Sequence, residues 1–305
     1  MAETRPAPRT VAVTGASGMV GRHLCDHLRR RGWAVRALMR DVNAYPFTEG
    51  GIERRGMDLP DVLHDDSLAG VEIVVHAAYA TRARDPEAAR RVNEDGTLRV
   101  LAAARDGGVR RFVFVSSLSA HADARSRYGR GKLAMEAHMD PARDLVLRPG
   151  LVLARDGGLA HRLWHAIARA RIVPVVGGGR QIVQTIHIDD LCDAFARALD
   201  LDLTGCIHVA EPDGLAMQEF LALLARTAGV RPLMLPLPAT PALWLLRALE
   251  AARLPLPVSS ENLLGLMTMR HVETRADLER LQIRVRDARE SLADLAPVRG
   301  RSGAR

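Results

Sequence analysis

Tyr128 and Lys132 stand four residues apart, the spacing that stacks two side chains on one face of a helix. The chain of 305 residues has three tyrosines and 43 lysines plus arginines, and Lys132 is the one lysine among them. Arginine is a rigid, permanently charged fork, whereas lysine is a compact ammonium on a flexible stem. A position that keeps lysine in so arginine-rich a chain points to a need for the ammonium. A free phenol titrates near ~10 and is a poor base at neutral pH. A neighbouring ammonium and an oxidised nicotinamide stabilise the phenolate and lower that value, so the tyrosine can pass a proton to or from a substrate oxygen. Ser117, upstream of Tyr128, would hydrogen-bond the same oxygen and fix its position.

Chemistry of this kind needs a hydride partner, and residues 11–24, VAVTGASGMVGRHL, supply a place for one. They read as a buried strand, a glycine turn and the start of a helix. Gly15 permits the tight turn, Gly18 a close approach of phosphate to backbone, and Gly21 close packing of helix on strand. Free N–H groups at the helix start then face a dinucleotide pyrophosphate. A second strand over 34–38 ends near Arg40, with Arg36 close by and Asp41 just beyond. An acid there binds free ribose hydroxyls and an arginine accommodates a 2′-phosphate, so NADP is expected in preference to NAD.

Strands and helices alternate through the first half. Residues 42–56 read as a loop or short helix, Asp58-Leu59 ends a third strand, and 65–70 forms a helix. Strands over 71–75 and 111–115 flank a helix over 86–106, and 145–147 begins another strand closed by Arg148-Pro149-Gly150. This is the pattern of an α/β fold, a doubly wound parallel sheet of Rossmann type with ligands at the carboxyl ends of its strands. Small residues after the 71–75 strand, Ala77 and Ala78, let the backbone approach a cofactor. Beyond 155 the pattern loosens: helices are expected over 158–171, 190–200 (capped by Asp189-Asp190) and 216–228, with short strands at 185–188 and 207–210. The segment 240–254 is apolar nearly all round, so it is expected to be buried or to line an apolar site. The expected organisation is a dinucleotide-binding domain over 10–155 with return segments around 181–210. A smaller, mostly C-terminal substrate-binding lobe comes from 156–180 and 211–298, and tails 1–9 and 299–305 are expected to be disordered.

Composition narrows the function classes. The formal charge is +7, partly from terminal arginines (Arg5, Arg9, Arg299, Arg301, Arg305), and the other arginines are interspersed with acids; with 4% aromatic residues, a nucleic-acid platform is not expected. No apolar run has the length of a membrane span and the N-terminus has no apolar signal core, so a cytoplasmic protein is expected. Cys25, Cys192 and Cys206 lack metal-ligand spacing, and no metal is expected. His187 beside Asp189 reads as a packed strand-end histidine, and His121 and His138 carry no signal.

Taken together, TGASGMVG (14–21), MDL (57–59), VVHAA (74–78), VNEDGT (92–97), FVFVSS (112–117), YGRGK (128–132), LRPGLV (147–152) and IHIDD (186–190) make the sequence resemble the short-chain dehydrogenase/reductase superfamily, in its extended or atypical NAD-dependent epimerase/dehydratase branch. The likeness covers roughly residues 10–200. It implies that Tyr128 is the acid/base, that Lys132 holds the nicotinamide ribose and lowers the tyrosine pKa, and that Ser117 orients the substrate. It also implies a catalytic-site asparagine at Asn93, whose residue type equally suits a structural hydrogen bond. Cofactor contacts are implied at Gly15, Ser17, Gly18, Met19, Val20 and Gly21 around the pyrophosphate, at Asp58 and Leu59 around the adenine, and at Ala77, Ala78 and Pro149 along the cofactor path. Homodimer pairing through helices, including the Tyr/Lys one, is a family habit.

Two departures stand out. The Ser-to-Tyr interval is shorter than in most nucleotide-sugar members, and Val183-Gln184-Thr185 stands where many such members carry Arg-Asp-Phe. A basic anchor for a sugar-nucleotide diphosphate is missing there unless Arg180 replaces it. The leading expectation is therefore an NAD(P)-dependent oxidoreductase acting on a carbonyl or secondary alcohol of a small, rather apolar molecule. A nucleotide-sugar epimerase or dehydratase is the alternative, and a non-catalytic dinucleotide-sensing or assembly protein is a third reading.

Overall fold

The structure, a computed structural model, describes residues 9–44, 46–81, 85–254 and 256–295. Its centre is an eight-stranded sheet. The chain lays down β1 (Thr10–Thr14), α1 (Met19–Arg30), β2 (Ala34–Met39), β3 (Glu53–Asp58) and the short β4 (Val62–Leu63) toward one edge. It then returns to the middle with β5 (Ile73–His76). A helical run follows, α2 (Pro86–Arg90), a π turn (Arg91–Asp95) and α3 (Gly96–Asp106). Strand β6 (Arg111–Val115), helix α4 (Arg127–Glu136) and strand β7 (Leu145–Pro149) build the other half. The spatial order is β4-β3-β2-β1-β5-β6-β7 and then β12 (Gly205–Val209), which arrives late in the chain. All neighbours run parallel except β4, which is antiparallel to β3. The direction of winding reverses between β1 and β5, so a crevice opens at the carboxyl ends of those two strands.

The central strands β1, β5, β6 and β7 are buried on both faces because they are short, mostly apolar runs. Alternate side chains serve opposite layers. Val11, Val13, Ile73, Val75, Val113, Leu145 and Leu147 join one core cluster with Leu24 and Leu28 of α1. Ala12, Val74, Phe112, Phe114 and Val146 join a second, with Val100, Leu101 and Met135 of α3 and α4. The doubly wound sheet anticipated from the sequence is the fold observed.

After β7 come β8 (Leu151–Leu153), α5 (Gly158–Arg169), β9 (Ile172–Val176), β10 (Ile182–Val183), β11 (Thr185–His187) and α6 (Ile188–Asp200). Beyond β12 lie β13 (Leu215–Ala216), α7 (Met217–Thr227), β14 (Leu233–Leu237), α8 (Ala239–Ala251), α9 (Ser260–Met267), α10 (Arg275–Leu281) and α11 (Ala288–Leu295). Helix α6 packs on α1 in the first cluster, with Leu191, Phe195 and Leu199 fully buried. A third apolar cluster unites α5, β9 and α7 through Leu163, Ile167, Val173, Val175, Phe220 and Leu224.

Several local expectations are corrected. Residues 65–70 form turns rather than a helix, and 53–56 already belong to β3. The cap of α6 is His187, whose Nδ1 accepts the Asp189 N–H at 3.1 Å; Asp190 instead accepts a fork of hydrogen bonds from Arg286. Arg9, assigned to a disordered tail, pairs with Glu72 at 3.0 Å and lies over the Trp33 ring at 4.5 Å; the remaining tail positions lie outside the described residues. Helix α8, in the segment expected to be buried or to line an apolar site, has one buried residue, Ala242, and exposes Trp244 and Leu245.

Candidate active site

The β1–α1 turn has the geometry of an anion cradle. Gly15 adopts φ +63°, and a Cβ there would come within 2.7 Å of the Ala78 Cα, so the turn and the strand end after β5 meet backbone to backbone. At Gly21 a Cβ would overlap Ala16. At Gly18, the N-cap of α1, the nearest atom is the Gly15 carbonyl oxygen at 3.1 Å, which leaves the outer side open. No side chain caps α1 and no acid stands in its first turn. The N–H groups of Met19, Val20 and Gly21 begin the helix, and the helix dipole favours an anion in front of them. Ser17 is exposed beside this turn. These features fit a dinucleotide pyrophosphate.

The other proposed contacts lie at the same edge of the sheet because the strands are parallel and each ends there. Arg40 follows β2, exposed, and among the described residues its guanidinium has no hydrogen bond or ion pair. Arg36 is committed elsewhere: it bonds Glu53 at 2.8 Å and the Ala69 carbonyl at 2.8 Å. Asp58 closes β3, exposed, and Leu59 just beyond is buried. Ala77 and Ala78 follow β5, half-buried, and the Ala78 N–H donates to Thr14 Oγ1 at 3.2 Å. Pro149 ends β7, and its carbonyl accepts the Leu118 N–H at 2.9 Å.

Ser117 lies two residues past β6, close to Tyr128, and its hydroxyl accepts the Ser119 N–H at 3.1 Å. Helix α4 starts at a Ser126 cap, with Ser126 Oγ accepting the Gly129 N–H at 3.1 Å. Gly129 lets that helix touch the serine loop: a Cβ there would overlap the Ser119 carbonyl oxygen and reach within 2.9 Å of the Ala124 Cβ. The far end of α4 is bolted to the sheet. Glu136 accepts from Ser116 Oγ and from Arg148, whose Nε lies 2.9 Å away; Arg148 in turn meets His208, held by Asp277 at 2.8 Å.

Lys132 departs from the expected picture. It is 3% exposed, and its Nζ donates to the Val115 carbonyl at 2.6 Å. The ammonium lies 4.2 Å from the centre of the Tyr79 ring and 4.6 Å from that of Phe114. Burial pushes it down to about 7, against a smaller opposite pull from Glu136. Burial raises the Tyr128 phenol, and the nearby Ser117 hydroxyl only partly opposes this. The tyrosine therefore keeps its proton in this state.

Tyr79 is the residue the sequence reading passed over. It follows Ala77-Ala78, its ring meets Tyr128 edge-on at 5.1 Å, and a Cβ at Gly131 would lie 3.2 Å from its hydroxyl oxygen. The available signal was one of three tyrosines at the carboxyl end of a central strand. Asn93 lies in the π turn, buried, and its Oδ1 accepts the Ala80 N–H at 2.6 Å. It thus fixes the segment that carries Tyr79. His76, beneath that segment, bridges Thr14 Oγ1 (2.9 Å) and Thr97 Oγ1 (3.0 Å) and is pushed down to about 3 by burial, with Lys132 adding to the effect. A cleft of about 360 Å³ opens between the loop ahead of α4 and α9, lined by His121, Arg125, Leu264, Met267 and Arg270 among others. His138 is exposed on the surface.

Known proteins resemble this chain in sequence and in fold. Residues 11–206 match the family described as NAD dependent epimerase/dehydratase. The chain is 31% identical over 237 residues to the ceramide reductase of Caulobacter vibrioides, covering 75% of this chain and 73% of that protein. It is 32% identical over 255 residues to a 3-diazoavenalumate denitrifying reductase of a Streptomyces species, covering 73% and 82% respectively. The solved structure of MoeE5 in complex with UDP-glucose and NAD superposes with a TM-score of 0.70 at 23% identity, over 93% of this chain and 96% of that one. The chain is an NAD(P)-dependent enzyme and belongs to the NAD dependent epimerase/dehydratase family.

Proposed function

We propose that the protein is an NADP-dependent reductase that converts a carbonyl of a small, rather apolar molecule to an alcohol, with Tyr128 as the proton donor. The observation that carries this reading is the placement of Ser117 next to Tyr128 at the sheet edge, with a phenol that burial keeps protonated. A protonated phenol suits reduction, where the developing alkoxide needs a proton. Ser117 would hold the carbonyl oxygen, and Tyr128 would deliver its proton to that oxygen. Lys132 would meet the nicotinamide ribose from α4, and Asn93 would act by fixing the Tyr79 segment.

The cofactor, when bound, supplies the hydride. Gly15, Ser17, Gly18, Met19, Val20 and Gly21 would hold its pyrophosphate, Asp58 and Leu59 its adenine, and Ala77, Ala78 and Pro149 its path toward Tyr128. Arg40, exposed and without an ion pair among the described residues, would accept the 2′-phosphate; Arg36 is already committed to Glu53. The names of the two reductase relatives support the direction, and ceramide is an apolar molecule of the class proposed. Residues 156–180 and 211–298 would form the substrate-binding lobe, with a homodimer pairing through α4.

MoeE5, with its UDP-glucose, favours a nucleotide-sugar epimerase or dehydratase as the second reading. Against it, Gln184 is turned into the protein, donating to the carbonyls of Glu211 and Val272 at 2.9 and 2.8 Å, and brings no positive charge to a diphosphate. Purified enzyme given NADPH and a panel of long-chain and aryl ketones should consume NADPH and exchange its cofactor freely. Tightly held cofactor with turnover confined to UDP or dTDP sugars would overturn the reductase reading in favour of the second.

A further inference from the structure

Most arginines of the chain alternate with acids, but two stretches do not. Residues 158–180 and 228–257 contain seven arginines and a single acid, Glu250. That acid is turned inward, accepting the Ser260 N–H and Oγ–H at 2.6 Å each. The same stretches carry the most exposed apolar side chains of the described residues. Strands β9 and β14 pair in parallel with Ile172 opposite Leu233 and Pro174 opposite Leu235, so these four share one face of the ribbon. The alternate residues Val173 and Val175 are buried in the third cluster, so the shared face points outward, with Leu233 63% exposed. Through Pro238, β14 runs straight into α8, where Trp244 is 67% and Leu245 58% exposed.

Basic groups frame this surface. Arg171 precedes β9 and Arg231 precedes β14; Arg247 stands three residues from Trp244 on the exposed side of α8, and Arg253 follows the helix. All four are exposed, and among the described residues none of their side chains has an ion pair. A second copy of the chain seated on this face would bring unpaired arginines against arginines. A surface of negative charge over an apolar interior satisfies both sets of groups: leucines and tryptophan enter the acyl boundary while arginines reach the headgroups.

We propose that β9, β14 and α8 form a docking face for the surface of an anionic lipid bilayer, entered by Ile172, Leu233, Trp244 and Leu245. No helix among the described residues is long and apolar enough to cross a membrane, so the contact is peripheral. The test is co-sedimentation of the full chain with vesicles of phosphatidylcholine alone or mixed with phosphatidylglycerol, at two salt concentrations. Binding should require phosphatidylglycerol and weaken with salt. Trp244→Ser with Leu245→Ser should abolish it, and Arg247→Gln or Arg253→Gln should each weaken it about fivefold. These side chains are exposed, so circular dichroism and melting temperature should stay unchanged. No association with anionic vesicles, or association untouched by these substitutions, would overturn the proposal. A monomer–dimer equilibrium lost in the same variants, without vesicle binding, would assign the face to a second copy instead.

Discussion

Replacing Lys132 by methionine separates the chemistry of the ammonium from its burial. The lysine ordinarily titrates near ~10.4, and burial here pushes it down to about 7. The unfolded chain therefore holds this proton more tightly than the folded one. Below pH 7 both states are protonated and the folded state carries the full penalty; above ~10.5 both are neutral and the penalty vanishes. Wild-type stability from this residue thus rises with pH between about 7 and 10.5. The penalty is roughly 4 kcal/mol at pH 7 and roughly 2 kcal/mol at pH 9. Methionine has no such term. It loses the bond to the Val115 carbonyl and the attraction to the Tyr79 and Phe114 rings, together about 2–3 kcal/mol. The variant should be more stable than wild type by roughly 1–2 kcal/mol at pH 7, with the difference falling by roughly 2 kcal/mol by pH 9. Urea unfolding at pH 7, 8 and 9 reads this directly, with no cofactor added. A difference that stays constant across that range would refute the buried-ammonium reasoning.

Four further outcomes are expected. Tyr79→Leu removes the ring under the ammonium and beside Tyr128; kcat should fall about tenfold, the scale of a desolvated cation–π contact, while Tyr79→Phe should retain most activity. Arg40→Ser should raise KM for NADPH by about ten- to a hundredfold, as expected for a lost charge-assisted hydrogen bond, and leave KM for NADH unchanged; equal effects on both would remove Arg40 from the 2′-phosphate site. Gly129→Ala pushes a methyl group into the Ser119 carbonyl and the Ala124 side chain, which should cost about 1–3 kcal/mol in denaturant unfolding and lower kcat by displacing α4. Asn93→Ala frees the Ala80 N–H and should lower thermal stability by about 1–3 kcal/mol, with kcat reduced less than in Tyr79→Leu.

The sheet was legible because its strands are short apolar runs followed by punctuation: Thr14-Gly15, His76-Ala77, Ser116-Ser117 and Pro149-Gly150 each mark a carboxyl end. In a parallel sheet all such ends share one edge, so the candidate site could be assembled from strand ends alone. The surroundings of Lys132 were not legible. Tyr79 and Phe114 reach it from the ends of two neighbouring strands, and one-dimensional spacing gives no measure of that approach. The i, i+4 pair suggested an ammonium facing a phenol, while three-dimensional packing gave the ammonium to two rings and a carbonyl. Strand β9 was hidden by Pro174, which breaks most strands but is tolerated in a two-stranded ribbon where each strand has an open side. The π turn at Arg91–Asp95 left no periodic trace, yet it carries Asn93, whose side chain meets the Ala80 N–H. Helix α8 is apolar nearly all round yet buries only Ala242, because composition does not say which side of a helix a neighbour covers.

The proton-donor role of Tyr128 is tested most directly by Tyr128→Phe, which keeps the ring against Tyr79 and removes only the hydroxyl. NADPH binding, followed by fluorescence titration, should remain within about twofold of wild type, since the phenylalanine fills the same volume. Hydride transfer to a ketone that the wild-type enzyme reduces, followed by single-turnover loss of NADPH absorbance, should fall by about 10²–10⁴. Unchanged transfer with unchanged binding would contradict the role assigned to that hydroxyl.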